Sequence, residues 1–220
     1  MFLSNFFRSL IFGISLGEIL FLSSVTPVMA NPKYNQESIM QLMASSQEPA
    51  PDIDEKSRLD QSLELISEMD DAELKVILFN DLAFNYARLG DKKKAIAILD
   101  QSLAVAQKIE DVVLKVTAML SVAEYYEQIG QKSQTIEILD NTVELVHKFE
   151  DMAVKVTTML DIAQYYAQIG EKTQAIEILD NSVEIANNIP DKSLQGQLLL
   201  KISLKYGEIG EKEAAQTVFT

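Results

Sequence analysis

From Asp111 onward apolar and polar positions alternate with helical periodicity, and the alternation is interrupted at fixed intervals. Val113, Val116, Leu120, Ala123 and Tyr126 recur three or four residues apart, the stripe of an amphipathic helix that runs to about Ile129. Gly130 closes it. A second stripe, Ile136, Leu139, Val143 and Val146, predicts another helix, with Lys132, Glu137, Asp140 and Glu144 on its solvated side. Asp111 precedes the first helix as a plausible N-cap, and Asp71, Asp151 and Asp191 stand in the same place elsewhere.

The pattern returns along the chain. LAFNYARLG, VAEYYEQIG, IAQYYAQIG and SLKYGEIG end at Gly90, Gly130, Gly170 and Gly210, a period of 40 residues. AIAILDQSLAVA, TIEILDNTVELV and AIEILDNSVEIA follow the first three, and LDQSLELI from Leu59 is an earlier copy of the second half. Residues 111–150 and 151–190 share 22 identities without a gap. Such a period denotes stacked helix pairs, each unable to bury its apolar face alone. The expected fold is all-α: antiparallel helix pairs, about four repeats plus an N-terminal half-repeat, with units near 53–70 (half), 71–110, 111–150, 151–190 and 191–220 (partial). Arrays of this kind are usually binding surfaces.

The repeat resembles the tetratricopeptide repeat family. The matching residues are a small residue (Ala83, Ala123, Ala163), an aromatic three on (Tyr86, Tyr126, Tyr166), the glycine four further, then Ala95, Thr135 or Ala175. The resemblance covers Ala72 to the C-terminus, and the period exceeds the family's usual ~34 residues, which implies longer helices. It implies a right-handed α-solenoid over 53–220, small residues at the closest helix approach, and an aromatic packed between units. Ser203 departs from the small alanine and marks the last unit as weak. It further implies that the first helix of each unit lines a concave groove. Transferred to this chain, the groove residues are Asn80, Phe84, Arg88, Glu124, Glu127, Gln128, Gln164 and Gln168. Phe84, Glu124 and Gln164 share one register, so the Lys and Asn clamp with which some members hold chaperone C-termini is not assembled. Tyr126 and Tyr166 fall on the packing stripe, whereas Tyr125 and Tyr165 are left partly exposed.

Met1–Ala30 reads as a signal peptide: Arg8, an apolar run from Leu10 to Val25, a break at Thr26-Pro27, then Val28-Met29-Ala30. Gly13, Gly17 and Glu18 interrupt the run, which argues against an uncleaved anchor. Cleavage near Ala30 predicts an exported protein, periplasmic, lumenal or extracellular, without a stable membrane anchor. Residues 31–52, with Pro32, Pro49 and Pro51, read as a flexible linker.

Composition narrows the chemistry. Cysteine is absent, excluding disulfides and thiolate catalysis. The net charge of −14 opposes binding to nucleic acid phosphates and anionic membranes. Glu144 and the single histidine, His147, have the spacing of a di-metal carboxylate motif, but the next unit has Glu184 and Asn187, so no second copy completes it. No phosphate loop or acid/base constellation stands out. The sequence therefore predicts a non-catalytic interaction module for a protein or peptide, with no cofactor and no metal. Its rivals are an accessory or docking region of an enzyme whose catalytic part lies elsewhere, and a structural array that self-associates through its incompletely capped last unit.

Overall fold

The computed structural model describes residues 54–219, so the signal-peptide and linker readings lie outside the described residues. Among these residues nine helices and no strands occur: α1 (Glu55–Ser67), α2 (Ala72–Arg88), α3 (Lys92–Ala106), α4 (Val112–Gln128), α5 (Lys132–Val146), α6 (Met152–Gln168), α7 (Lys172–Asn187), α8 (Lys192–Glu208) and α9 (Lys212–Thr217). The chain divides into two compact units, one ending at Gln101 within α3 and one beginning at Ser102.

Local chemistry sets each boundary. The carboxylate of Asp111 accepts from the amides of Val113 and Leu114 at 2.9 Å, and Asp71, Asp151 and Asp191 cap α2, α6 and α8 likewise. At the far end of α4, Gly130 has φ 72° and donates to Glu127 O, while the Gln131 amide donates to Tyr126 O, both at 2.8 Å. That is a Schellman closure, and it needs a residue free of the left-handed Cβ clash. Gly90, Gly170 and Gly210 close α2, α6 and α8 in the same way.

The joint reverses the chain. Thr135 Oγ1 donates to Ala123 O at 3.4 Å and Ser203 Oγ donates to Ala215 O at 2.8 Å. Donor and acceptor are equidistant from the turn in both cases, so α4 runs antiparallel to α5 and α8 to α9. Ser203, read from sequence as a weak point, thus ties the last pair together.

In the second unit, consecutive helices pack from α4 through α9, and the buried stripe of each pair repeats. Val116, Met119, Leu120, Val122, Ala123 and Tyr126 are buried on α4; Val156, Met159, Leu160, Ile162, Ala163 and Tyr166 are buried on α6. Thr135, Ile138, Leu139, Thr142 and Val146 are buried on α5. The expected stripes require correction at their edges: Val113 is 40% exposed, and Ile136 and Val143 are half-buried. Their places go to Met119, Val122 and Ile138, and to Thr135 and Thr142, which are admissible because they bond internally. Thr142 Oγ1 donates to Ile138 O at 2.6 Å, and buried Ser182 donates to Ile178 O at 2.8 Å.

Three kinds of tie join one pair to the next. The Tyr166 hydroxyl donates to Asp140 of α5, and the Tyr206 hydroxyl to Asp180 of α7. Lys132 pairs with Glu171 at 2.6 Å and Lys172 with Glu211 at 2.7 Å. Lys155 Nζ donates to His147 O at 2.8 Å, and Gln195 Nε2 to Asn187 O at 2.7 Å, each satisfying a carbonyl at the end of the preceding helix. Asp140, expected on a purely solvated face, is therefore a structural acceptor. In the first unit Tyr86 donates to Asp60 Oδ1 at 2.6 Å, and Lys94 reaches the same oxygen at 2.9 Å. The Tyr86 hydroxyl and the Lys94 ammonium hold the Asp60 carboxyl below the usual carboxylate range.

Candidate functional site

The helical period leaves one face of each first helix off the packing stripe. In the second unit the faces of α4 and α6 line a cleft of about 850 Å³. From α4 come Thr117, Leu120, Ser121, Glu124, Glu127 and Gln128. From α6 come Thr158, Asp161, Gln164, Tyr165 and Gln168. Five residues expected from sequence, Glu124, Glu127, Gln128, Gln164 and Gln168, thus share one wall or the other of a single cleft. Tyr165, expected to be partly exposed, is half-buried there.

The three candidates on α2 stand in the first unit and differ in kind. Asn80 is fully buried, so it belongs to the core and not to an exposed face. Phe84 is half-buried. Arg88 Nη2 lies 2.9 Å from Glu55 Oε1, an ion pair that ties α2 to α1.

Charge in the cleft has one sign. Glu124, Glu127 and Asp161 are its charged lining residues, and the lining contains no lysine, arginine or histidine. Glu124 accepts from Gln128 Nε2 at 3.3 Å and from the Tyr165 hydroxyl at 3.4 Å. Burial, reinforced by the Glu124 charge, pushes the Tyr165 hydroxyl up to about 12, so it stays a neutral donor at ordinary pH. Asp161 is raised from the usual carboxylate range by burial, against the opposing pull of Lys205 and Lys201 from α8. Lys205 is already engaged, donating to Gln164 Oε1 at 3.0 Å and Glu208 Oε2 at 2.8 Å. Asp161, missed in the sequence reading, differs from Ser121 at the same register, and that substitution between units was the available signal.

These groups can bind without reacting. The amides of Gln128, Gln164 and Gln168 offer both donors and acceptors to an extended backbone. The carboxylates offer charge to a cation, and the Tyr165 ring offers it a face. Among the described residues no three His, Cys, Asp or Glu side chains gather at metal-binding distance, and no helix is long and apolar enough to cross a membrane.

Residues 156–189 match the tetratricopeptide repeat family model. Among solved structures, Ton1535 from Thermococcus onnurineus NA1 is similar with a TM-score of 0.58 at 12% identity, over 83% of this chain and 56% of that one. This chain therefore spans little more than half the length of that protein. A structure of nearly identical TPR-like repeats from Podosopora anserina has a TM-score of 0.49 at 16% identity, over 84% of this chain and 90% of that one. No curated protein matches the chain in sequence. The fold is all-α, and in the second unit it is a tetratricopeptide-like solenoid of consecutive helix pairs.

Proposed function

We propose that this protein is an exported, non-catalytic interaction module that seats a cationic segment of a partner protein in the cleft between α4 and α6. Tetratricopeptide-like repeats generally mediate protein–protein interaction, and the match over residues 156–189 supports a protein-binding role. The observation that carries the finer reading is the one-signed lining of the cleft: Glu124, Glu127 and Asp161 line its space, and no lysine, arginine or histidine does. A partly desolvated carboxylate such as that of Asp161 gains from an incoming ammonium or guanidinium group. The net charge of −14 would steer such a partner toward the protein. Export rests on the signal-like pattern of Met1–Ala30.

The test is affinity capture from an exported-protein fraction by the chain from Asn31 to Thr220, beside a Glu124→Gln, Glu127→Gln, Asp161→Asn variant. These exchanges preserve shape and remove charge. The expected result is a partner retained by the parent, lost by the variant, and cross-linked to the cleft through a segment bearing Lys or Arg. Equal capture by both proteins, or a cross-linked segment without a basic residue, would overturn the assignment.

A further inference from the structure

Each second helix has a face that its own first helix covers, and on α1 that face is open. Leu99, Leu139 and Leu179 on α3, α5 and α7 are fully buried, as are Ser102, Thr142 and Ser182. Leu59 and Ser62, at the same two registers of α1, are only half-buried. Leu65, whose counterparts Val105, Leu145 and Ile185 are half-buried, is 48% exposed. Among the described residues no first helix precedes α1.

The 40-residue period says what belongs there. Carried back from Asp71, it puts Asn31 in the place of the capping aspartates and Pro32 at the first helical position, and both residue types are favoured there. Ile39, Met40, Leu42 and Met43 fall on the registers of Met119, Leu120, Val122 and Ala123, all of which are buried, as are their counterparts on α2 and α6. Pro49 and Pro51 stop a helix after Glu48, the register of Arg88, Gln128 and Gln168, which end α2, α4 and α6. The three prolines suggest a linker, but in this register they mark the two ends of a helix. The departures suit a first unit. Ser46 stands where Tyr86, Tyr166 and Tyr206 reach back 26 residues to an aspartate, and 26 residues before Ser46 is Leu20, which offers no acceptor. Gln36, at the register of buried Val116, leaves the apolar contact to residues 39–43.

We propose that residues 31–48 form a further first helix, packed antiparallel on the open face of α1, so that the half-repeat is a complete helix pair. The pairing that puts Thr135 against Ala123, moved back by two periods, sets Ile39 beside Leu59 and Met43 beside Glu55. Around Leu59 the contact is apolar. Toward the turn, Met43 and Glu55 replace the small residues of the other pairs, and Arg88 holds Glu55, so the helices stand further apart there than α4 and α5 do. The added helix stands beside α2 as α4 stands beside α6. It brings Gln41, Ala44 and Glu48 to the registers of the cleft residues Ser121, Glu124 and Gln128, with Phe84 on the opposite wall. The first unit thereby gains a groove of its own, with Ala44 and Phe84 at its centre where the α4–α6 cleft has Glu124 and Gln164.

Two measurements on the chain from Asn31 to Thr220, which holds every described residue, test this. Amide hydrogen exchange should find residues 36–48 slowed by at least about tenfold relative to an unstructured chain, since a helix starting at Pro32 leaves its first amides unbonded. Ile39→Asp with Leu42→Asp should abolish that protection while α4 to α8 keep theirs, which separates loss of docking from loss of the fold. Position is read by disulfide trapping, which is clean because the chain has no cysteine. Met43→Cys with Glu55→Cys restores small residues at the closest approach and should oxidise roughly tenfold faster than Ala44→Cys with Glu55→Cys, whose first cysteine the helix turns away. An unstructured segment would close both pairs at nearly the same rate, because their loops differ by one residue. Fast exchange throughout 36–48, equal trapping rates, or protection that appears only as protein concentration rises, which would give the face to a second copy, would each overturn the proposal.

Discussion

Tyr166→Phe tests whether the pairs are held in register by the tyrosine–aspartate ties. Tyr166 is buried and its hydroxyl donates to the Asp140 carboxylate across the joint between α5 and α6. Phenylalanine fills the same volume and removes only the hydroxyl. A hydrogen bond to a charged acceptor contributes about 1.5–3 kcal/mol, and the water that reaches exposed Asp140 reduces this to roughly 1–2 kcal/mol. With a urea slope of about 2 kcal/mol/M, the midpoint should fall by roughly 0.5–1 M at unchanged slope. The assay is urea unfolding in a double-mutant cycle with Asp140→Ala, which isolates the coupling from the loss of each side chain. Tyr165→Phe is the control, because its 3.4 Å contact with exposed Glu124 should contribute less than about 0.5 kcal/mol. A coupling between Tyr166 and Asp140 no larger than that of the control pair would refute the reasoning.

The raised tyrosines also predict alkaline lability. Burial and the Asp140, Asp180 and Asp60 carboxylates raise Tyr166, Tyr206 and Tyr86, so each binds its proton more tightly folded than unfolded. Their stabilisation is complete below the unfolded value near pH 10 and falls as pH rises above it, by up to about 1.4 kcal/mol per pH unit for each tyrosine. Urea midpoints level from about pH 8 to pH 9.5 and dropping beyond should coincide with the appearance of tyrosinate absorbance; a flat profile through pH 11 would contradict the assignment. Leu160→Ala and Leu200→Ala make the same chemical change at one register, where Leu160 is 4% exposed and Leu200 is 53% exposed. The first should cost about 2–5 kcal/mol and the second less than about 0.5 kcal/mol, measured by urea unfolding, and equal costs would contradict the difference in burial.

Much of the architecture was legible because its determinants are local. An aspartate cap, a stripe and a glycine joint lie within one helix, and Asp111, Leu120 and Gly130 act as their positions foretell. The Tyr–Asp ties were not legible because Asp140 has the sequence context of a solvated acid. Only the 26-residue reach to Tyr166, repeated between Asp180 and Tyr206, gives it a partner. Thr142 was passed over as polar, although its hydroxyl is satisfied by the carbonyl of Ile138 and adds no burial penalty. Arg88 had the residue type of a binding anchor, but α1 supplies Glu55, a charge that no reading of α2 alone could assign to it.

Within this chain, positions that recur unchanged and positions that vary have different roles. The caps, the glycine joints and the Tyr–Asp pairs recur because each fixes where the next helix lies. Once that spacing is fixed, outward positions can change at little cost to folding, since surface substitutions mostly stay within about 0.5 kcal/mol. They do change. From α4 to α6 to α8, Ser121 becomes Asp161 and then Lys201, Glu124 becomes Gln164 and then Leu204, and Tyr125 becomes Tyr165 and then Lys205. The face thus passes from acidic on α4 and α6 to cationic and apolar on α8 within three helices. Under the proposed function, a segment with its cations at one end satisfies this order in one direction only, so the varying positions would give a bound segment a polarity while the recurring ones keep the helices in place.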